Sequence, residues 1–265
     1  MQIIIYALVT LFATLMGSIA GMGGGVIIKP VFDAFEQYDA VTVGVITSIT
    51  VFAMALVSIS RQIAMKTKID PKAGAVLCGG SIAGGYAGQF ALGQVDALLQ
   101  NNELLVVTQN VMLFVLIICV VLYMAFKSRI RSLNTTKPLP VLLCGLILGT
   151  LSSFLGIGGG PFNVAIILFV IGCDTRMAAV YSILTILFSQ LSKLVTVALT
   201  TGYAQYDLGV LPVIVLCGVA GGFLGAKLNK SLPDKAVDRC FHIMQIIILC
   251  ITLSNIVRYG LRLAA

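Results

Sequence analysis

Two glycine runs hold the positions where backbone chemistry is most exposed. They are Gly21-Met22-Gly23-Gly24-Gly25 and, 135 positions later, Gly156-Ile157-Gly158-Gly159-Gly160. Three consecutive glycines weaken a helix outright, so each run predicts a chain break. A break exposes the first N–H groups of the helix that follows, and those donors together with the helix dipole favour an anion. Glycine also lets a ligand approach the backbone closely. Pro161 suits the first position of a new half-helix, where its missing N–H costs nothing. Near the breaks stand further donors, Ser18, Ser152, Ser153 and Asn163, and Lys29 follows the first run by four residues. The candidate anion-binding set is therefore Ser18, Gly21, Gly23, Gly24, Gly25, Lys29, Ser152, Ser153, Gly156, Gly158, Gly159, Gly160 and Asn163. The blander reading makes the glycines a helix-packing device, but packing motifs space small residues by four.

Other polar groups are weaker candidates. Thr14, Thr47, Ser48, Thr50, Ser182, Thr185, Ser189 and Gln190 could also donate, but a lone hydroxyl more often bonds back to its own helix. Lys193 interrupts the apolar run 177–200. An intramembrane cation is a functional candidate by default, whereas snorkelling carries a long side chain to the nearer interface. Snorkelling is the stronger reading for Lys193, and for Lys29 the two readings stand level. His242, the only histidine, reads as a snorkelling or capping residue beside a basic loop.

The elements that must position these groups follow from composition. Of 265 residues, 59% are hydrophobic and only 10% are charged, against about 25% charged in a soluble domain. Charge-free stretches at 41–60, 73–95, 104–126 and 208–226 approach or exceed the ~20 residues that cross a bilayer. The chain reads as an all-α polytopic membrane protein of the cytoplasmic membrane, with no separate soluble domain. The net charge of +7 resides in short loops, which is the positive-inside pattern and not a nucleic-acid surface. Seven cysteines without a CxxC pair argue against a disulfide framework or a metal site. No cofactor is implied. The first 20 residues lack the basic leading region of a signal peptide and read as part of the mature fold.

The two halves correspond beyond the glycines. Asp39 matches Asp174 at an offset of 135, Asp70 matches Asp207 at 137, and residues 83–88 match 220–225 at 137. Each half is expected to be a glycine-broken segment plus three transmembrane helices: a first repeat at 1–126, a basic linker at 127–140 and a second repeat at 141–265. Paired interruptions in the two halves point to a transporter's binding site, because irregular backbone at membrane depth must be covered by protein or line a cavity. Loops 61–72, 127–137 and 227–239 are basic, while 33–39, 96–103 and 201–207 are acidic. If both glycine segments are re-entrant, all basic loops fall on one side and the repeats are inverted.

Paired GxGGG segments, one opening each half, resemble the TauE/SafE family of sulfite exporters. The first copy, followed by Pro30, fits the pattern GxGGG-x4-P; the second departs from it, with Ala165 where the proline would stand. The resemblance implies a small anionic substrate, sulfite or an organosulfonate, as the partner besides the bilayer. With no Asp or Glu at the centre of a span, outward transport that needs no coupling is favoured, since each negative charge leaving gains ~2.3 kcal/mol per 100 mV; coupled transport would instead run through His242 or a protonated substrate. An anion channel is the alternative. A thiol-dependent sulfur-transfer enzyme using Cys173 or Cys240 is a weaker one. The chain shows no nucleophile–base pair and no Walker motif.

Overall fold

The computed structural model describes residues 2–67, 69–127 and 129–264. Ten helices succeed one another among them. The first five are α1 (Gln2–Ala20), α2 (Gly25–Phe35), α3 (Ala40–Ala64), α4 (Pro71–Leu99) and α5 (Asn102–Phe126). The second five are α6 (Pro138–Phe154), α7 (Pro161–Ile171), α8 (Thr175–Thr200), α9 (Leu211–Ser231) and α10 (Asp234–Ala264). No strand occurs among the described residues. Helices α1, α3, α5, α8, α9 and α10 are long and apolar enough to cross a bilayer, so the chain is an all-helical, multi-pass membrane protein.

Polar caps set the helix starts. Asp39 accepts from the amides of Val41 and Thr42, and Asp174 from that of Met177. These two aspartates therefore do the same N-cap work 135 positions apart. Asp70 caps α4 ahead of Pro71. Its sequence counterpart Asp207 instead accepts from Gly209 in a turn, and α9 begins after Val210.

Several boundaries differ from the sequence reading. Helix α6 starts at Pro138, inside the stretch read as linker. The basic stretch 227–239 is mostly helix, because α9 runs to Ser231 and α10 resumes at Asp234. Asp33, read as the start of an acidic loop, lies within α2 and is 3% exposed.

Small residues let helices of one half grip those of the other. Gly80, Gly84 and Gly88 on α4 press against the carbonyls of Leu142, Leu146 and Thr150 on α6, leaving no room for a Cβ. Gly221 and Gly225 on α9 press likewise against Thr14 and Leu15 on α1. The residue order in these contacts makes α4 parallel to α6 and α9 parallel to α1. On α3, Thr50 and Met54 meet Gly218 and Gly222 of α9, so those two are parallel as well. Helices α5 and α10 run antiparallel, with Asn110 against Asn255 and Glu103 near Arg262.

The first break reverses the chain. The Tyr6 ring lies 4.2 Å from the Phe32 ring, and the Tyr6 hydroxyl donates to Gln37 Oε1 at 3.0 Å. The end of α2 thus returns beside the start of α1. Residues 17–30 and 155–165 are buried throughout, so both breaks lie inside the bundle.

Candidate functional site

Both glycine runs break the helix, and they meet. Gly21, Gly23 and Gly24 have φ of 76°, 81° and 71°, and Gly156, Gly158 and Gly159 have φ of 66°, 69° and 138°. Gly21 sits directly on Ala179 of α8, and Gly156 sits on Gly44 of α3. The backbone angle disfavours a side chain at both positions, and at Gly21 space excludes one as well. Gly25 abuts the carbonyl of Ile157, and a Cβ on Gly23 would lie 3.5 Å from Gly158 O. Val51 from α3 and Ile186 from α8, themselves 135 positions apart, wedge between the breaks.

Helices α2 and α7 start at this junction. Ile27 and Ile28 return their N–H groups to Gly24 O, and Asn163 returns its own to Gly160 O. Among the described residues the amides of Val26 and Phe162 have no such backbone acceptor. Pro161 opens α7, as its position after the glycines predicts.

The side chains around the two breaks differ in kind. At the first break the nearby serine hydroxyls are hydrogen-bonded. Ser18 Oγ lies 3.0 Å from Ser58 Oγ and donates to Gly222 O, and Ser182 Oγ donates to Gly21 O at 2.5 Å. At the second break the Oγ atoms of Ser152 and Ser153, both side-chain atoms of Asn163, and Gln190 Oε1 are buried without a partner. Gln190 borders Gly158, and Asn163 Nδ2 borders Gly159. Thr47 Oγ1, on α3 beside Gly25, is likewise unpartnered. A buried polar atom left unpaired costs roughly 1–3 kcal/mol. Such a cluster is the least internally satisfied polar region around the junction.

Charge follows the same asymmetry. Lys193 is 1% exposed, and its Nζ donates to Ser153 O at 3.2 Å. No carboxylate pairs with it among the described residues. The position equivalent to Lys193 in the first half is Ser58, the partner of Ser18. Lys29 is 2% exposed and forms an ion pair with Asp33, Nζ to Oδ1 and Oδ2 at 3.1 and 3.0 Å. Its Cε and Cδ pass 3.2 and 3.3 Å from where a Cβ on Gly156 would stand. Neither lysine snorkels, so that reading is corrected for Lys193. Asp33, read from the sequence as part of a loop, is a buried carboxylate near the C-terminal end of α2.

The candidate residues thus separate into groups. The glycines of both runs form the junction, and Ser152, Ser153 and Asn163 gather at the second break. Ser18 is consumed by internal bonds, and Lys29 borders the second break although it follows the first. His242 is exposed and contacts Gln245 Oε1 at 3.2 Å. The structure places Lys193, Gln190 and Thr47 at the junction as well, and sets Asp33, which the sequence reading did not single out, against Lys29. The one sequence signal for Asp33 was its i,i+4 spacing from Lys29 on a helix.

Comparison with known proteins agrees with this architecture. The profile described as "Sulfite exporter TauE/SafE" matches residues 6–252. The chain belongs to the sulfite exporter TauE/SafE family. It is 28% identical over 236 residues to the "Probable membrane transporter protein MJ0441" of Methanocaldococcus jannaschii, covering 83% of this chain and 84% of that one. It is 23% identical over 278 residues to the "Probable membrane transporter protein YunE" of Bacillus subtilis, covering 94% and 97%. No solved structure matches the chain. The family member described here is a multi-pass membrane transporter.

Proposed function

We propose that the chain is a carrier that moves a small sulfur oxyanion, sulfite or an organosulfonate, across the cell membrane at the junction of its two glycine breaks. One observation carries this reading: the buried, carboxylate-free ammonium of Lys193 beside the unpartnered Ser152 and Ser153 hydroxyls and the Asn163 amide. A desolvated cation among idle hydrogen-bond donors suits an anion with several acceptor oxygens. Purified protein in proteoliposomes should release preloaded sulfite or methanesulfonate, and Lys193→Gln should abolish that release. Retained release in this variant refutes the assignment of the site.

The direction proposed is outward. Lys66, Arg176 and Lys230 line a 180 Å³ cavity at one end of the bundle. Asp39 and Asp96 line one of 490 Å³ at the other end. Positive-inside placement puts the basic mouth in the cytoplasm, where it concentrates anions for loading, and the acidic mouth disfavours their return. The parallel pairings of α1 with α9 and α4 with α6 support inverted repeats. In this arrangement Thr135 and Lys230 share a side, so cysteines placed at both should label from the cytoplasm; labelling from opposite sides refutes the topology.

The channel alternative predicts single-channel currents in planar bilayers. The thiol-enzyme alternative is weak on chemistry: burial pushes the Cys173 thiol up to about 11, with Asp174 adding to the shift, and a thiol that stays protonated is a poor nucleophile.

A further inference from the structure

We propose that Asp33 binds a proton that crosses together with the anion, a second transported species, with Lys29 as the element that couples the two. The proposal rests on the anion-carrier reading above. The ammonium of Lys29 is held by Asp33 at 3.0 Å, while the stem of the same side chain runs along Gly156. Gly156 packs on Gly44, and Gly44 borders Lys193 Nζ. Lys29 therefore stands between a carboxylate and the site where the anion binds. When an anion arrives, the Lys29 ammonium turns to it and joins Lys193. Asp33 is then a buried carboxylate stripped of its counter-charge, and such a group takes up a proton.

The surroundings of Asp33 offer no replacement cation. From α2 it is faced by Lys29, with Glu36 one turn on. Tyr6 of α1 stacks on Phe32, and Asp39 caps α3 nearby. From α5 come only the neutral Gln109 and Asn110, and from the second break the apolar Leu155 and Ile157. Tyr259 of α10 donates its hydroxyl to the Asp33 carbonyl at 2.6 Å. Arg258 and Arg262 are both taken by Glu36, at 2.7 and 2.8 Å. A cavity of about 10 Å³ adjoins Asp33 and Gln109, whose Oε1 has no partner; a space of this order admits about one water.

The fold does not need the ion pair. The positions 135 later, Val164 and Leu168 on α7, are apolar, and α7 forms the same half-helix without one. In the cycle a proton from water on the loading side converts the Asp33 carboxylate to the acid. It leaves to water on the far side when the anion departs and Lys29 returns; a monoanion crossing with one proton carries no net charge, so its outward movement follows the anion and proton gradients and not the membrane potential. No electrons move.

Two measurements test this. Methanesulfonate, which stays a monoanion, is followed in proteoliposomes with the potential clamped at zero. Wild-type protein should accumulate it about tenfold for each unit of pH gradient, and Asp33→Asn should lose that accumulation. Separately, with no anion present, the infrared spectrum of Lys29→Gln at neutral pH should gain a protonated-carboxyl band that disappears in Lys29→Gln/Asp33→Asn. A flux indifferent to the pH gradient, or a Lys29→Gln spectrum without the band, overturns the proposal. If neither methanesulfonate nor sulfite moves in wild type, the carrier reading falls, and the spectrum still decides whether Asp33 takes up a proton.

Discussion

At the scale of single residues, Lys193 and Asp33 show where tertiary context overrides local reading. Lys193 lies about seven residues from its helix end, close enough to reach an interface if α8 faced lipid there. In the folded bundle Ser153 and Gly44 border its ammonium, and that placement is a property of two other segments. Asp33 sits in Asp33-Ala34-Phe35-Glu36-Gln37-Tyr38-Asp39, a stretch that reads as a loop, yet α2 runs on to Phe35, with Lys29 pairing the Asp33 carboxylate and Tyr259 bonding its carbonyl. Replacing Lys193 by Met tests the difference between a site and a scaffold. A charge-assisted hydrogen bond is worth roughly 1.5–3 kcal/mol, so anion affinity should fall about 10- to 100-fold. Thermal stability should hold or rise, because an uncompensated buried charge is removed. A melt followed with a thiol-reactive dye at the buried Cys78 and Cys144 reads the second quantity directly.

At the scale of helices, much was legible. The two breaks, the start of α7 at Pro161 and the matched caps at Asp39 and Asp174 all follow from local rules of backbone geometry and hydrogen bonding. Asp174→Ala should lower stability by about 0.5–2 kcal/mol through loss of the α8 cap, seen as a lower midpoint in the same dye melt. What local rules did not give was which helix each glycine stripe would meet. The contrast between Gly84 and Gly93 isolates that contribution. Gly84 lies against the Leu146 carbonyl, while nothing lies within 4 Å of a Cβ on Gly93. Gly84→Ala should destabilise by about 1–3 kcal/mol as α4 and α6 are pushed apart. Gly93→Ala should stabilise by about 0.5–1 kcal/mol, because alanine loses less backbone freedom.

At the scale of the whole molecule, Val51 and Ile186 stand where the halves touch and separate the glycine breaks. Trimming both to alanine should raise the basal leak of sulfite through reconstituted protein without raising saturable transport. An unchanged leak places the barrier elsewhere. Correspondence between the halves could be read from the sequence, but the exchange of partners between them could not, since it depends on which surfaces remain uncovered once each half has formed.

That exchange sets a timetable for biosynthesis. Thr14 meets its neighbour Cys217, 203 positions further along the chain. At 5–20 residues per second, a ribosome needs about 10–40 s to deliver it. For that interval α1 waits in the bilayer with its stripe of Thr14 and Ser18 facing lipid, available to any chaperone, insertase or mistaken neighbour. A nascent chain halted after its fifth helix should therefore be the form most readily degraded.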